Sequence, residues 1–256
     1  MTRIRVERHG PVGTVILARP EKKNALDQQM ADELHAALTA LGTEQDVRVV
    51  LLRADGDDFC AGADLEALEG LIGADARTQA ADAEALGRVF IAMRELEKPV
   101  VAAVRGRALA GGAGLATAAD LVVAHEDAQF GYPEVRVGFV PAMVMTMLRR
   151  AVGEKVAFDL VATGRLLSAR EARDLGLITR VASGSTFERE VAEVVEQLAG
   201  AGADATRLTK RLFYTLDGKP FREGIRLGIE TNVEARQTEG FARGVRRFLK
   251  RRKGDK

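Results

Sequence analysis

Residues 100–121, VVAAVRGRALAGGAGLATAADL, decide the fold. Five apolar residues open the segment, without the alternation of a half-exposed strand, as in a strand buried on both faces. A tight glycine-bearing turn follows, then a helix built almost wholly of Gly and Ala. So little side chain lets a helix pack very close to its neighbours. Its first turn also presents free backbone N–H groups at the positive end of the helix dipole. Such groups can bind a developing oxyanion without a charged side chain. Close packing alone is the other account of the same residues. A second tight loop, residues 59–65 (FCAGADL), also follows a strongly apolar strand. Two strand-end loops can therefore each bring a backbone donor to one oxygen.

Outward from this segment, strands and helices alternate, which predicts an α/β fold. Residues 4–7 and 12–18 form a hairpin around His9-Gly10-Pro11. Asp27 caps a helix whose apolar face is Met30, Leu34, Leu38 and Leu41. Residues 47–53 read as a buried strand, and 76–96 as a helix stopped by Pro99. Residues 121–124 give the strand after the Gly/Ala helix. Capping boxes are expected at Ser168/Glu171 and Ser185/Glu188, and helix C-caps at Gly164 and Gly176. Strands give out near residues 182–184. This divides the chain into an α/β core, 1–184, and a helical, highly charged C-terminal region, 185–256.

Composition narrows the function. Among 256 residues, 38 basic side chains face 37 acidic ones. That balance points to neither nucleic acid nor a membrane surface. No apolar run is long enough for a transmembrane helix, and the first ten residues lack a signal-peptide core. A cytoplasmic protein is expected. The single Cys60 rules out intramolecular disulfides and cysteine zinc clusters, and it reads as a packing residue. His9, His35 and His125 lack metal-ligand spacing, so no metal is expected. The glycine turn carries neither Gly-Lys-Ser/Thr nor GxGxxG, which argues against a phosphate loop. No GxSxG elbow is present. The basic residues between Arg243 and Lys253 read first as a solvated helix end. Contact with ligand phosphates is the functional alternative.

Glu134 is the carboxylate to single out. It lies in Phe130-Gly131-Tyr132-Pro133-Glu134-Val135, among apolar residues. Burial raises a carboxyl pKa and lets the group exchange protons near neutral pH. An ordinary exposed Glu is the alternative.

Several ordered segments together resemble the crotonase (enoyl-CoA hydratase/isomerase) superfamily. They are Arg19-Pro20 with Asn24-Ala25-Leu26, then 58–65 (DFCAGADL), 100–112, 128–138 (AQFGYPEVRVG), 149–164 and 172–181. The resemblance spans roughly residues 3–182. It implies a spiral of ββα units with a helical C-terminal region, assembled as homotrimers or homohexamers. It also implies chemistry on an acyl-CoA thioester through a stabilised enolate. Coenzyme A then belongs to the substrate, and no cofactor is permanently bound. Residue by residue, the resemblance assigns an oxyanion hole to the N–H groups of Ala61 and Gly111, and the catalytic carboxylate to Glu134. The backbone around Ala63, Asp64 and Leu65 would hold the adenine, and Lys23 and Ala25 would lie near the CoA nucleotide. Leu109, Pro133 and Met143 would complete the substrate site.

One departure stands out. Hydratases of the family use two glutamates, and the first falls here on Gly114. Glu66, Glu69 and Asp120 are the other carboxylates nearby. Enoyl-CoA hydratase, with a place in fatty-acid metabolism, is the leading expectation. A 3,2-enoyl-CoA isomerase working with Glu134 alone is the alternative. A non-catalytic relative binding CoA esters or RNA is the third.

Overall fold

Neighbouring residues of one strand feed two different cores, which is why the central strands show no alternation. The computed structural model describes the backbone of residues 2–254 and the side chains of residues 2–250. In chain order the elements begin with β1 (Ile4–His9), β2 (Val12–Leu17), α1 (Gln28–Thr43), β3 (Val49–Ala54), α2 (Leu65–Gly70) and α3 (Ala76–Glu95). Next come β4 (Val100–Val104), β5 (Arg107–Leu109), α4 (Gly111–Ala118), β6 (Leu121–His125) and β7 (Gln129–Gly131). Then follow α5 (Ala142–Ala151), α6 (Glu154–Thr163), β8 (Leu166–Ser168), α7 (Ala169–Asp174) and β9 (Arg180–Ala182). The C-terminal helices are α8 (Phe187–Gly200), α9 (Ala203–Thr215), α10 (Phe221–Arg236) and α11 (Glu239–Gly254).

The main sheet runs β1-β2-β3-β4-β6-β9, and a smaller one runs β5-β7-β8. The β1–β2 hairpin is antiparallel, and every other pairing in the main sheet is parallel. Val50, Leu52, Val100, Ala102 and Val104 join the larger core with α1, α3 and α4. Val49, Leu51, Val101 and Ala103 face the other way, onto Phe187, Val191, Val194 and Val195 of α8. Parallel strands covered on both faces are apolar throughout. The α/β class with a helical C-terminal region is as expected.

Local signals hold in most places. The Asp27 carboxylate accepts from Met30 N–H, and the Ser168 hydroxyl accepts from Glu171 N–H. Gly164 caps α6 in the left-handed region at φ 62°. Ser185/Glu188 is a correction. Helix α8 starts at Phe187 behind Thr186, with no side-chain cap, and Glu188 instead pairs with Arg53. Helix α9 is docked by buried Lys210. Its ammonium donates to the carbonyls of Met93 and Lys98 and to Asp120 at 2.7–2.9 Å. Asp120 also accepts from Val100 N–H and the Tyr214 hydroxyl. In the basic run, Arg243 pairs with Glu239, and the side chains of Arg251, Arg252 and Lys253 lie outside the described residues.

Candidate active site

Three segments meet at the start of α4, and glycine makes the approach possible. A Cβ on Gly112 would collide with the Cys60 carbonyl and side chain, and one on Gly62 would lie 2.8 Å from the Ala110 Cβ. The 60–62 loop therefore lies directly against residues 109–112. A parallel bridge joins Cys60 to Ala108, with Cys60 N–H on the Arg107 carbonyl and Leu109 N–H on the Cys60 carbonyl, each 2.9 Å. Ala110 takes φ 49° and ψ −120°, a conformation L-residues rarely adopt. It delivers the chain into α4 at Gly111.

The third segment, 19–27, is tied in by buried polar groups. Asn24 donates to the carbonyls of Asp55 and Asp58 and accepts from Arg19 N–H, at 2.8–2.9 Å. Buried Arg19 pairs with Asp64 at 2.7 Å and with Asp27 at 3.3 Å. The Asp64 carboxylate also caps α2, and its hydrogen bonds keep it below the usual carboxylate range despite burial. Its side chain is thus fully committed to structure.

The N–H census of the loop corrects one expectation. Ala61 N–H donates to the Lys23 carbonyl at 3.0 Å, so it is not available to an oxyanion. Leu26 N–H meets the Gly62 carbonyl, and Asp64 N–H meets the Leu26 carbonyl. In a parallel bridge between Leu26 and Ala63 this register turns the Ala63 N–H away from Leu26. Ala63 is exposed and its N–H has no partner among the described residues. In α4 the first intrahelical bond is Gly114 N–H to the Ala110 carbonyl, which leaves the N–H groups of Gly111, Gly112 and Ala113 free of helix partners. Ala63 on one segment and Gly111, Gly112 and Ala113 on the adjoining one thus carry the available N–H groups.

Glu134 lies in a 3-10 turn, Pro133–Val137, just after β7. Two bonds clamp its segment to α4. Ala110 N–H donates to the Gly131 carbonyl at 2.8 Å. The fully buried Tyr132 hydroxyl lies 2.7 Å from the Thr117 hydroxyl. Thr117 spends its own proton on the Ala113 carbonyl, so Tyr132 is the donor. Glu134 is half-buried, and its Oε2, shut off from solvent, has no hydrogen-bond partner among the described residues. Burial pushes its pKa up, against a smaller opposing effect of its own backbone N–H. The carboxyl is thus held partly desolvated, an environment in which a carboxyl can exchange protons closer to neutral pH.

The other expected residues sort clearly. Lys23 is exposed at φ 53° beside the Ala61 loop, and Ala25 is buried next to it. Leu65 is 66% exposed at the start of α2. Leu109 and Pro133 flank Gly111 and Glu134 in the chain, and the Met143 sulfur lies 3.5 Å from where a Gly87 Cβ would stand. Cys60 is fully buried with its thiol pushed up to about 12, a packing residue. At Gly114 the space for a side chain is taken: Val144 and Phe90 lie 2.6 and 2.7 Å from its Cβ position. Glu66 pairs with Lys22 at 2.5 Å, Glu69 is exposed on α2, and Asp120 serves α9. None of the three belongs to the site. The roles of Tyr132, Phe90 and Val144 beside the site were not assigned from the sequence. Only Tyr132 left a signal there, as a lone tyrosine between Gly131 and Pro133.

Among the described residues, no helix is long and apolar enough to cross a membrane, and no three His, Cys, Asp or Glu side chains are grouped to hold a metal. Residues 7–255 match the family model described as enoyl-CoA hydratase/isomerase. A putative enoyl-CoA hydratase of Thermus thermophilus is 43% identical over 97% of this chain and 98% of its own. A probable enoyl-CoA hydratase of Rhizobium meliloti is 34% identical over 98% and 96%. The crystal structure of an enoyl-CoA hydratase from Mycobacterium smegmatis superposes with a TM-score of 0.93 at 30% identity, covering 97% of this chain and 96% of that one.

Proposed function

Since the chain belongs to the enoyl-CoA hydratase/isomerase family, we propose that it is an enoyl-CoA hydratase that adds water across a 2-enoyl-CoA. The supporting observation is a partly desolvated Glu134 carboxyl, its Oε2 without a hydrogen-bond partner, on a segment anchored to α4, the helix whose first N–H groups are free. In this reading, the N–H groups of Ala63 and Gly111 bind the thioester oxygen as it gains charge. One such donor is worth about 3–4 kcal/mol in a transition state. Glu134 takes a proton from water and returns it to C2. The exposed backbone around Ala63 and Leu65, with Lys23, faces the nucleotide part of coenzyme A, which arrives with the substrate.

The test is mass spectrometry of a short trans-2-enoyl-CoA incubated with the protein in isotopically labelled water. Gain of one labelled water, dependent on Glu134, is expected. Turnover of a 3-enoyl-CoA with no label uptake would favour isomerisation instead, the chemistry that the missing side chain at Gly114 leaves open.

The same family membership supports a homotrimer or a pair of trimers. Helix α10 carries Phe221, Ile225, Ile229 and Val233 at four-residue spacing, all about half exposed or more. Helix α11 exposes Phe241, Val245, Phe248 and Leu249. Stripes of this kind ordinarily bury against another subunit. Light scattering should report three or six chains; a monomer at micromolar concentration would reject the assignment.

A further inference from the structure

Gly114 leaves a chemical gap. A water that attacks C3 is oriented when both its hydrogens are held, and Glu134 accounts for one. Phe90 and Val144 close the position from which a second acid would reach.

Helix α3 offers another. Its Phe90 meets Gly114, and its Leu86 lies 3.3 Å from the Cβ position of Gly111. The two contacts advance in the same sense, so α3 runs alongside α4 in the same direction here. Asp82 stands one turn before Leu86, about 6 Å further back, on the same side of the helix. Since α4 begins at Gly111, Asp82 lies beyond its first residue, on the side its free N–H groups face. Helical side chains lean toward the N-terminus, which carries the carboxyl further that way. Asp82 is half-buried, with no hydrogen bond or ion pair among the described residues. Burial holds its carboxyl above the usual carboxylate range. Partial desolvation with nothing in return costs stability, as expected of a group whose partner comes with the substrate.

Building on the hydratase reading, we propose that Asp82 is the second carboxyl group of the site, accepting a hydrogen bond from the attacking water. Glu134 removes the water's other proton while the oxygen bonds to C3. The C2–C3 π pair shifts onto the thioester oxygen as an enolate. Collapse of the enolate takes the proton back from Glu134 at C2. Asp82 keeps the same proton count throughout.

Asp82→Leu is expected to lower kcat for hydration about 10- to 100-fold, the worth of one hydrogen bond to a charged group, with KM within about threefold. Asp82→Asn keeps an acceptor oxygen and should recover most of the rate. Glu134-dependent exchange of the C2 hydrogens of a saturated acyl-CoA in heavy water needs no water at C3. It should therefore match the native protein in both variants. Native hydration in Asp82→Leu would overturn the proposal. So would loss of hydration and exchange together, which marks a structural role. Absence of label uptake by the native protein would instead remove the hydratase reading on which the proposal rests.

Discussion

Glu134→Gln is expected to cut turnover of an enoyl-CoA by about 10²- to 10⁴-fold, the usual range for a positioned acid–base group, while acyl-CoA binding stays close to native. Gln fills the same space but cannot carry a proton between water and C2. The same substitution should stabilise the fold at neutral pH, modestly, because the carboxyl is still partly open to solvent. The sign follows from the raised pKa of the native carboxyl. In the unfolded chain Glu134 gives up its proton in the ordinary carboxylate range, whereas the folded state holds it to higher pH. Between those two values the folded state binds more protons, so native stability falls as pH rises. Below the ordinary range both states are protonated and the burden disappears. Thermal melts of the native protein and the Gln variant should therefore converge near pH 4 and separate as pH rises. A constant difference across that range would reject the account. Loss of acyl-CoA binding in step with turnover would make Glu134 a structural residue.

Gly112→Ala is expected to be comparably damaging by another route. The new Cβ would run into the Cys60 carbonyl, and into the Cys60 Cβ and sulfur at 2.7 and 2.8 Å. The carbonyl oxygen and the Cβ are fixed with the backbone and cannot rotate aside. Cys60 is also held by its two bonds to Arg107 and Leu109. Either the bridge to Ala108 opens or α4 withdraws. Both movements separate Ala63 from Gly111 and, on the proposed reading, disable one oxyanion donor, for about a 10²- to 10³-fold loss in kcat. Overpacking of this kind costs about 1–3 kcal/mol of stability. Gly200→Ala is the control, since nothing lies within 4 Å of its Cβ position. Near-native kcat in Gly112→Ala would show that the two loops do not need this contact.

Much of this site was legible before any coordinates. The run 100–121 announced a strand, a turn and a glycine-rich helix because apolar runs and missing side chains are local properties. Glu134 could be picked out because Tyr132-Pro133 and the apolar residues around it foretell burial. Ala61 was the wrong donor for a reason equally physical. Within a loop, successive N–H groups point in different directions, and which one is left free depends on the partner strand. Here that partner is the segment from Lys23 to Leu26, far away in the chain, whose Lys23 carbonyl takes the Ala61 N–H and whose Leu26 pairs in register with Ala63. Gly114 shows the same limit. Its missing side chain was plain to see, but Phe90 and Val144 filling that space belong to two other helices.

The linear order of residues was enough to establish an α/β chain and a glycine-lined helix start, and to single out one carboxylate among apolar residues, because hydrophobic pattern, glycine and local burial act over a few residues. Only the folded chain decided which backbone N–H groups are free and that Phe90 and Val144 fill the space beside Gly114. Those outcomes rest on strand register and helix-to-helix packing between segments far apart in sequence, where a shift of one residue reverses the direction of every donor.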